Sequence, residues 1–444
     1  MTRQRASVVP DLGVLRGSAL YIGALLGPGL LLLPGLAVTR AGPASILAWA
    51  GLLVASGLFA VVFAALGVRH PSAGGVRAYA EAGLGTRAGR AVAWCFLAGV
   101  VSGAPIVCVT CGNYVPELLG GDLRLACATA AVLLLGTLAV SLRGVRTSAT
   151  VQFGLVVLLV TIVVGAVVGA APASSGANWR PFAPHGWAAI GPAASTLMLA
   201  FVGWEAIAPL TNRFARPRRQ LPVVIGIAFG TTTVIYLALG AVTVAALGPG
   251  ASTSVPLAAL LTLAVGPVGP AVAAVGAVVL TVGAVLAYLS GAGTLARSLS
   301  PSRAARKSAA REAAAAREAA ARDVVALDVV TRDTLPPWLL VVLLTVGAGL
   351  IGLLGTGVLS LAGLVNVPTT FFLVVYLGCT AAAVRLLTGA LRAVAAVAFV
   401  AVVAVLAFSG YALIPAACVT GLALLVGRRR PAPRPPAREP VPVG

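Results

Sequence analysis

Apolar runs, each long enough to cross a bilayer, recur along the whole chain with short polar or Gly/Pro-rich links between them. About 20 such residues in a helix span the hydrocarbon core. The runs at 17–38, 44–68, 89–112, 123–142, 148–171, 187–211, 221–247, 267–297, 336–355, 358–384, 389–408 and 410–427 predict twelve membrane-spanning helices. Two segments fall outside this rhythm. Ser300 to Asp333 contains "SAAREAAAAREAAARD", rich in helix formers, and is expected to be a cytoplasmic helix with a weak Glu318–Arg322 pair. Arg428 to Gly444 is Pro-rich, and a disordered cytoplasmic tail is expected there, with Arg428, Arg429 and Arg430 at anionic headgroups.

Two of the runs are interrupted. The first carries Gly27-Pro28-Gly29, and the sixth carries Phe201-Val202-Gly203-Trp204-Glu205 followed by Pro209. Freed backbone groups facing lipid cost several kcal/mol each, so such breaks persist only where they line a cavity. The first and sixth helices open two groups of five. Because five is odd, the groups are inverted relative to each other, which is the sequence pointer to a transporter with a midplane site.

Composition agrees with this class: 59% of the 444 residues are hydrophobic and 9% charged, where soluble domains carry about 25% charged residues. The net charge of +20 invites a nucleic-acid reading, but the placement of the charges argues against it. With a cytoplasmic N-terminus, all Lys and Arg except Arg40, Arg124 and Arg180 fall on the inner side. The excess is therefore a positive-inside signal that places both termini in the cytoplasm, and no folded module for nucleic acid is expected. The basic first 16 residues read as a tail, not as a cleaved signal, because the run behind them is span-length.

The six cysteines give no framework. Cys108 and Cys111 form a CxxC inside the third span and read as small packing residues; His70 and His185 lie in opposite loops. No metal and no cofactor is expected, and without buried His, Asp or Lys an enzyme is not expected either. Of the eleven acids, Glu205 alone lies within a span. A membrane-buried carboxylate is a functional candidate by default. It also reads as a cap for the amides freed at the sixth-span break, and the two roles are compatible.

Three motifs resemble a known family. "GALLGPGLLLLPG" (23–35) looks like an unwound first helix, "HPSAGGVRAYAEAGLG" (70–85) resembles the loop between spans two and three, and "AFVGWEAIAPLTNRFARPRRQLP" (200–222) is similar to the sixth helix and its basic loop. The family is the amino acid–polyamine–organocation permeases, and within it the bacterial exporters of methionine and branched-chain amino acids. The resemblance implies an all-α integral membrane fold with a leucine-transporter-like 5+5 inverted-repeat core, discontinuous helices 1 and 6, and two peripheral helices. Residues 17–171 would form the first repeat, 187–384 the second with the 300–333 helix inserted, and 389–427 the peripheral pair.

The resemblance also implies a site. The α-carboxylate of an amino acid would meet the first-helix break at Leu25, Gly27, Pro28 and Gly29; Pro28 departs from the pattern because it has no N–H, leaving Gly27 and Gly29 as donors. The α-ammonium would face carbonyls near Gly23 and from Phe201 to Gly203, and Val100, Ala104, Leu199, Val202 and Asn366 would contact the side chain. The expected substrate is a small neutral, apolar amino acid, since no Asp, Lys or Arg is predicted inside the bundle to pair a charged one. Span five lacks the Lys that replaces a sodium site in some relatives, and Thr281, Ser290 and Thr294 of span eight are the candidates for Na⁺. Proton coupling through Glu205 is preferred over Na⁺. The expectation is thus a proton-coupled exporter in the cytoplasmic membrane, monomeric or homodimeric. A proton-driven importer or exchanger, and an amino-acid sensor signalling through 300–333, are the alternatives.

Overall fold

The computed structural model describes residues 13–27, 29–70, 74–143, 149–205, 214–299 and 335–426. The expected 300–333 helix, the 428–444 tail, Pro28 and Pro209 lie outside the described residues. Among the described residues the fold is helical, and nine helices are long and apolar enough to cross a membrane. Three shorter apolar helices, Val14–Leu25, Trp187–Phe201 and Gly410–Leu425, accompany them.

The expected first run is split into α1 (Val14–Leu25) and α2 (Gly29–Ala41), followed by α3 (Ser45–Arg69). The link after α3 contains a helix the apolar runs did not predict, α4 (Gly75–Leu84), which carries the Arg77–Glu81 pair at 3.6 Å. Gly85, at φ 91°, turns the chain into α5 (Thr86–Gly112), and α6 (Tyr114–Leu119) ends that passage. The next helix, α7 (Leu123–Leu142), starts where the Asp122 carboxylate accepts the N–H groups of Arg124 and Leu125, a side-chain N-cap. The first half of the described chain ends with α8 (Ala149–Ala170).

The sixth run is a short α9 (Ile190–Leu197), a 3-10 turn over Met198–Phe201 and then extended backbone at Val202. It is followed by α10 (Pro217–Val242), with proline in its first turn, and α11 (Pro256–Val265). The apolar runs predict a link at α11; its ten residues are helical but span only about 15 Å. The remaining helices are α12 (Gly269–Leu299), α13 (Pro337–Gly355), α14 (Leu361–Leu364), α15 (Asn366–Leu386), α16 (Ala390–Ala407) and α17 (Leu413–Val426).

α5 and α15 run through the middle and pack on each other, with α4, α7, α12 and α16 around them. Lipid tails are as apolar as leucine, so helices associate through close packing rather than through a hydrophobic force. Small residues provide that contact: a Cβ on Gly112 would strike the Ala126 carbonyl, and one on Gly169 would strike Ala264. Hydroxyls within the helices turn back onto their own backbone, as Thr110 does to Ile106 O and Thr380 to Tyr376 O.

The ends of the bundle differ. At one, Arg77 donates to Ser298 and Arg385 to Gly83 O. At the other, Arg40 donates to Pro192 O and Ala362 O. Nearby, Tyr114 donates to Leu31 O, Thr196 donates to Asn366 Oδ1, and the Ser195 and Ser409 hydroxyls meet at 3.2 Å.

Candidate functional site

The two breaks cross each other. α1 stops at Leu25, and α2 starts at Gly29. On the sixth run, Val202 is extended at φ −72°, ψ 127°, and Gly203 sits at φ 154°. A Cβ at Gly203 would lie 2.7 Å from Ala24 O; one at Gly29 would lie 3.2 Å from Ala200 Cα. Each break thus uses a glycine to let the other's backbone approach. The Tyr236 hydroxyl of α10 binds across them, 2.6 Å from Leu25 O and 2.7 Å from Ala200 O. Its ring stacks on Trp49 at 5.0 Å, and Phe201 completes that aromatic cluster.

Beside the crossing lies a partly open cavity whose bounds enclose about 600 Å³, open solvent included. Ala24, Leu25, Gly27 and Gly29 wall it from the first break, and Leu199, Ala200 and Val202 from the sixth. Helix α5 contributes Gly99, Val100, Gly103, Ala104 and Val107; α12 and α15 contribute Ala284, Val285, Tyr288 and Phe372. Every one of these lining residues is uncharged. Of the residues singled out in the sequence, Leu25, Gly27, Gly29, Val100, Ala104, Leu199 and Val202 come together here.

The others lie elsewhere. Gly23 lines a smaller cavity between α1, α8 and α12, whose walls are otherwise Leu26, Gly27, Leu155, Val156, Leu159, Val279, Leu280, Gly283 and Ala284. No side-chain oxygen reaches into that space from the residues lining it. Thr281 instead faces Cys111, Thr294 donates to Ser290 O, and Ser290 is exposed. Phe201 points its ring into the Trp49–Tyr236 cluster. Asn366 sits off the cavity and accepts from Thr196. Cys108 and Cys111 are buried free thiols.

Glu205 is 2% exposed and lies just beyond the break. Its Oε2 accepts from Gly203 N–H at 2.9 Å and from the Tyr376 hydroxyl at 2.7 Å, while Tyr288 stands 3.4 Å from Oε1. Glu205 therefore caps an amide freed at the break, as one of its two sequence readings expects. It also lines a second, partly open cavity with Gly74, Gly75, Val76, Thr294 and Ser298, at the Arg77 end of the bundle. Tyr288 lines both cavities.

Sequence reasoning missed the two tyrosines and the glycine face of α5. Tyr288 and Tyr376 each stand as a single phenol within an apolar run, "VLAYLSG" and "LVVYLG". A buried phenol needs a partner, and that need was the available signal.

A profile of the amino acid permease family matches residues 12–308. The uncharacterised amino acid permease YecA of Bacillus subtilis is 32% identical over 223 residues, 50% of this chain and 52% of its own. The L-methionine/branched-chain amino acid exporter YjeH of Escherichia coli is 32% identical over 233 residues, 51% of this chain and 54% of its own. The branched-chain amino acid permease BcaP of Bacillus subtilis is 24% identical over 253 residues, 53% of this chain and 54% of its own. The chain thus spans about half the length of the curated relatives it matches. These relatives are transporters and not enzymes, and the profile's match takes in the residues of both breaks. The chain belongs to the amino acid permease family of the amino acid–polyamine–organocation superfamily.

Proposed function

We propose that the protein is a secondary transporter that exports a neutral, apolar L-amino acid across the cytoplasmic membrane by alternating access, coupled to protons. In this reading twelve spans form two inverted groups of five plus a peripheral pair, with both termini inside. The observation that carries it is the uncharged cavity bounded by two crossed helix breaks. The half-helix starting at Gly29 presents the positive end of its dipole, and α1 ending at Leu25 presents the negative end of its own. A zwitterion fits between such ends without any charged side chain. Its carboxylate would take N–H groups at Gly27 and Gly29, and its ammonium carbonyls near Gly23 and Phe201 to Gly203. Its side chain would rest on Val100, Gly103, Ala104 and Val107, where a charge would find no partner.

Glu205 is the proposed proton carrier, because it is buried at the break and also borders the second cavity. Export rather than import rests on the similarity to YjeH, an L-methionine/branched-chain amino acid exporter. The test is flux of labelled leucine or methionine in liposomes under an imposed pH gradient. The wild type should move the label against its concentration gradient, and Glu205→Gln should abolish gradient-driven transport. Full gradient-driven flux in that variant would sink the coupling role. Saturable binding without flux would sink the transporter reading and leave a sensor.

A further inference from the structure

The Tyr376 hydroxyl stands between two acceptors. It lies 2.7 Å from Glu205 Oε2 and 3.2 Å from the carbonyl oxygen of Phe201. A phenol has one hydrogen to donate, so one strong bond forms at a time, and the proton on Glu205 selects which. As a carboxylate, Glu205 can only accept, and the Tyr376 hydrogen turns to Oε2. The Phe201 carbonyl then receives nothing from Tyr376. Once protonated, Glu205 donates its own O–H to the Tyr376 oxygen, and the Tyr376 hydrogen turns to Phe201 O. The proton on Glu205 exchanges with solvent through the second cavity. No proton passes between side chains, and the tyrosine only rotates its hydroxyl.

The Phe201 carbonyl belongs to the sixth-span break, and its neighbours Ala200 and Val202 both line the first cavity. Glu205 borders the second cavity instead. The Glu205–Tyr376–Phe201 chain therefore runs from the second cavity to the backbone between two residues that wall the first. The groups acting on Glu205 are Tyr376 and Cys379 from α15, Tyr288 from α12 and its own Gly203 amide. Tyr79 of α4 stands behind Cys379. Arg77 and Arg297 reach the rim of the second cavity through Ser298 and Thr294. Among the described residues none of the groups bonded to the carboxyl is a Lys, Arg or second acid.

We infer that Tyr376 is a positioning residue that makes a proton on Glu205 and the ammonium of the amino acid compete for the Phe201 carbonyl. The inference rests on the transporter reading above and goes beyond it in naming the residue through which the proton and the amino acid act on each other. Competition means that each ligand weakens the other by the same factor. A protein that carries either the proton or the amino acid, but not both together, exchanges one for the other. The arrangement favours antiport over symport.

The experiment is equilibrium binding of labelled leucine to the purified protein in nanodiscs, from mildly alkaline to mildly acidic pH. Wild-type affinity should weaken about tenfold on acidification, the scale of one hydrogen bond to a charged group. Tyr376→Phe should still bind leucine, with less than about a twofold change over the same range. Glu205→Gln, whose amide can donate to the Tyr376 oxygen at every pH, should stay in the weak state throughout. A Tyr376→Phe profile matching the wild type, or a wild-type affinity that strengthens on acidification, overturns the relay while leaving the transporter reading intact. Absence of leucine binding at every pH overturns both. If Tyr376→Phe does not fold, Glu205→Gln decides: wild-type-like pH dependence in it overturns the relay.

Discussion

Gly203 and Gly103 show how differently two glycines of one site are used. At Gly203 any side chain meets the Ala24 carbonyl at 2.7 Å, and the backbone is at φ 154°, a conformation that costs other residues on the order of 1–3 kcal/mol. At Gly103, which lines the cavity, the neighbour of an added methyl is Pro368 at 3.4 Å, an ordinary contact. Gly103→Ala is therefore expected to fold normally and to raise the KM for leucine and methionine several-fold more than that for alanine, measured as uptake into proteoliposomes. Legibility at this scale was uneven. Gly27 and Gly29 stood out because they interrupt an apolar run. Gly99 and Gly103 did not, because glycine inside a membrane helix is common. Tyr288 and Tyr376 were hidden for a related reason: one phenol hardly changes the hydropathy of its span, and only the fold shows that both aim at Glu205.

At the scale of elements, the two breaks act as one unit. Their backbones touch at Gly203 and Ala24, and Tyr236 of α10 spans them with contacts to Leu25 O and Ala200 O. Tyr236→Phe keeps the ring packing on Trp49 but removes that tie. The expected cost is about 1 kcal/mol, read as a lower thermal midpoint in detergent together with a slower turnover in liposomes. The breaks themselves were legible, since glycine and proline weaken a helix for reasons local to the chain. The helices in the links were not. α4 and α11 are ten residues each, too short for a spanning signal, and it is their packing against α5, α8, α12 and α15 that holds them.

For the whole molecule, the sequence counts apolar runs and arrives at twelve, whereas continuous helix length gives nine among the described residues. The difference is physical. Of the three runs that fall short, Val14–Leu25 and Trp187–Phe201 stop where the chain unwinds at the cavity, and a break shortens a helix without making its sequence less apolar; the third, Gly410–Leu425, is a short helix away from the breaks. At the same scale the bundle is sealed unequally. Arg40, Tyr114 and the Thr196–Asn366 bond close one end, while the second cavity occupies the other.

The uncharged wall of the first cavity has an electrical consequence. A zwitterion held there adds no net charge to the carrier, so the amino acid itself is indifferent to membrane voltage. A proton on Glu205 is the one charge that the proposed cycle moves. Each proton carried inward then gains about 2.3 kcal/mol per 100 mV of inside-negative potential. In liposomes with equal pH on both sides, an inside-negative potassium diffusion potential should accelerate leucine efflux, and reversing its sign should slow it. Efflux that ignores the potential would mean that the charge of the proton is balanced by another ion within the cycle.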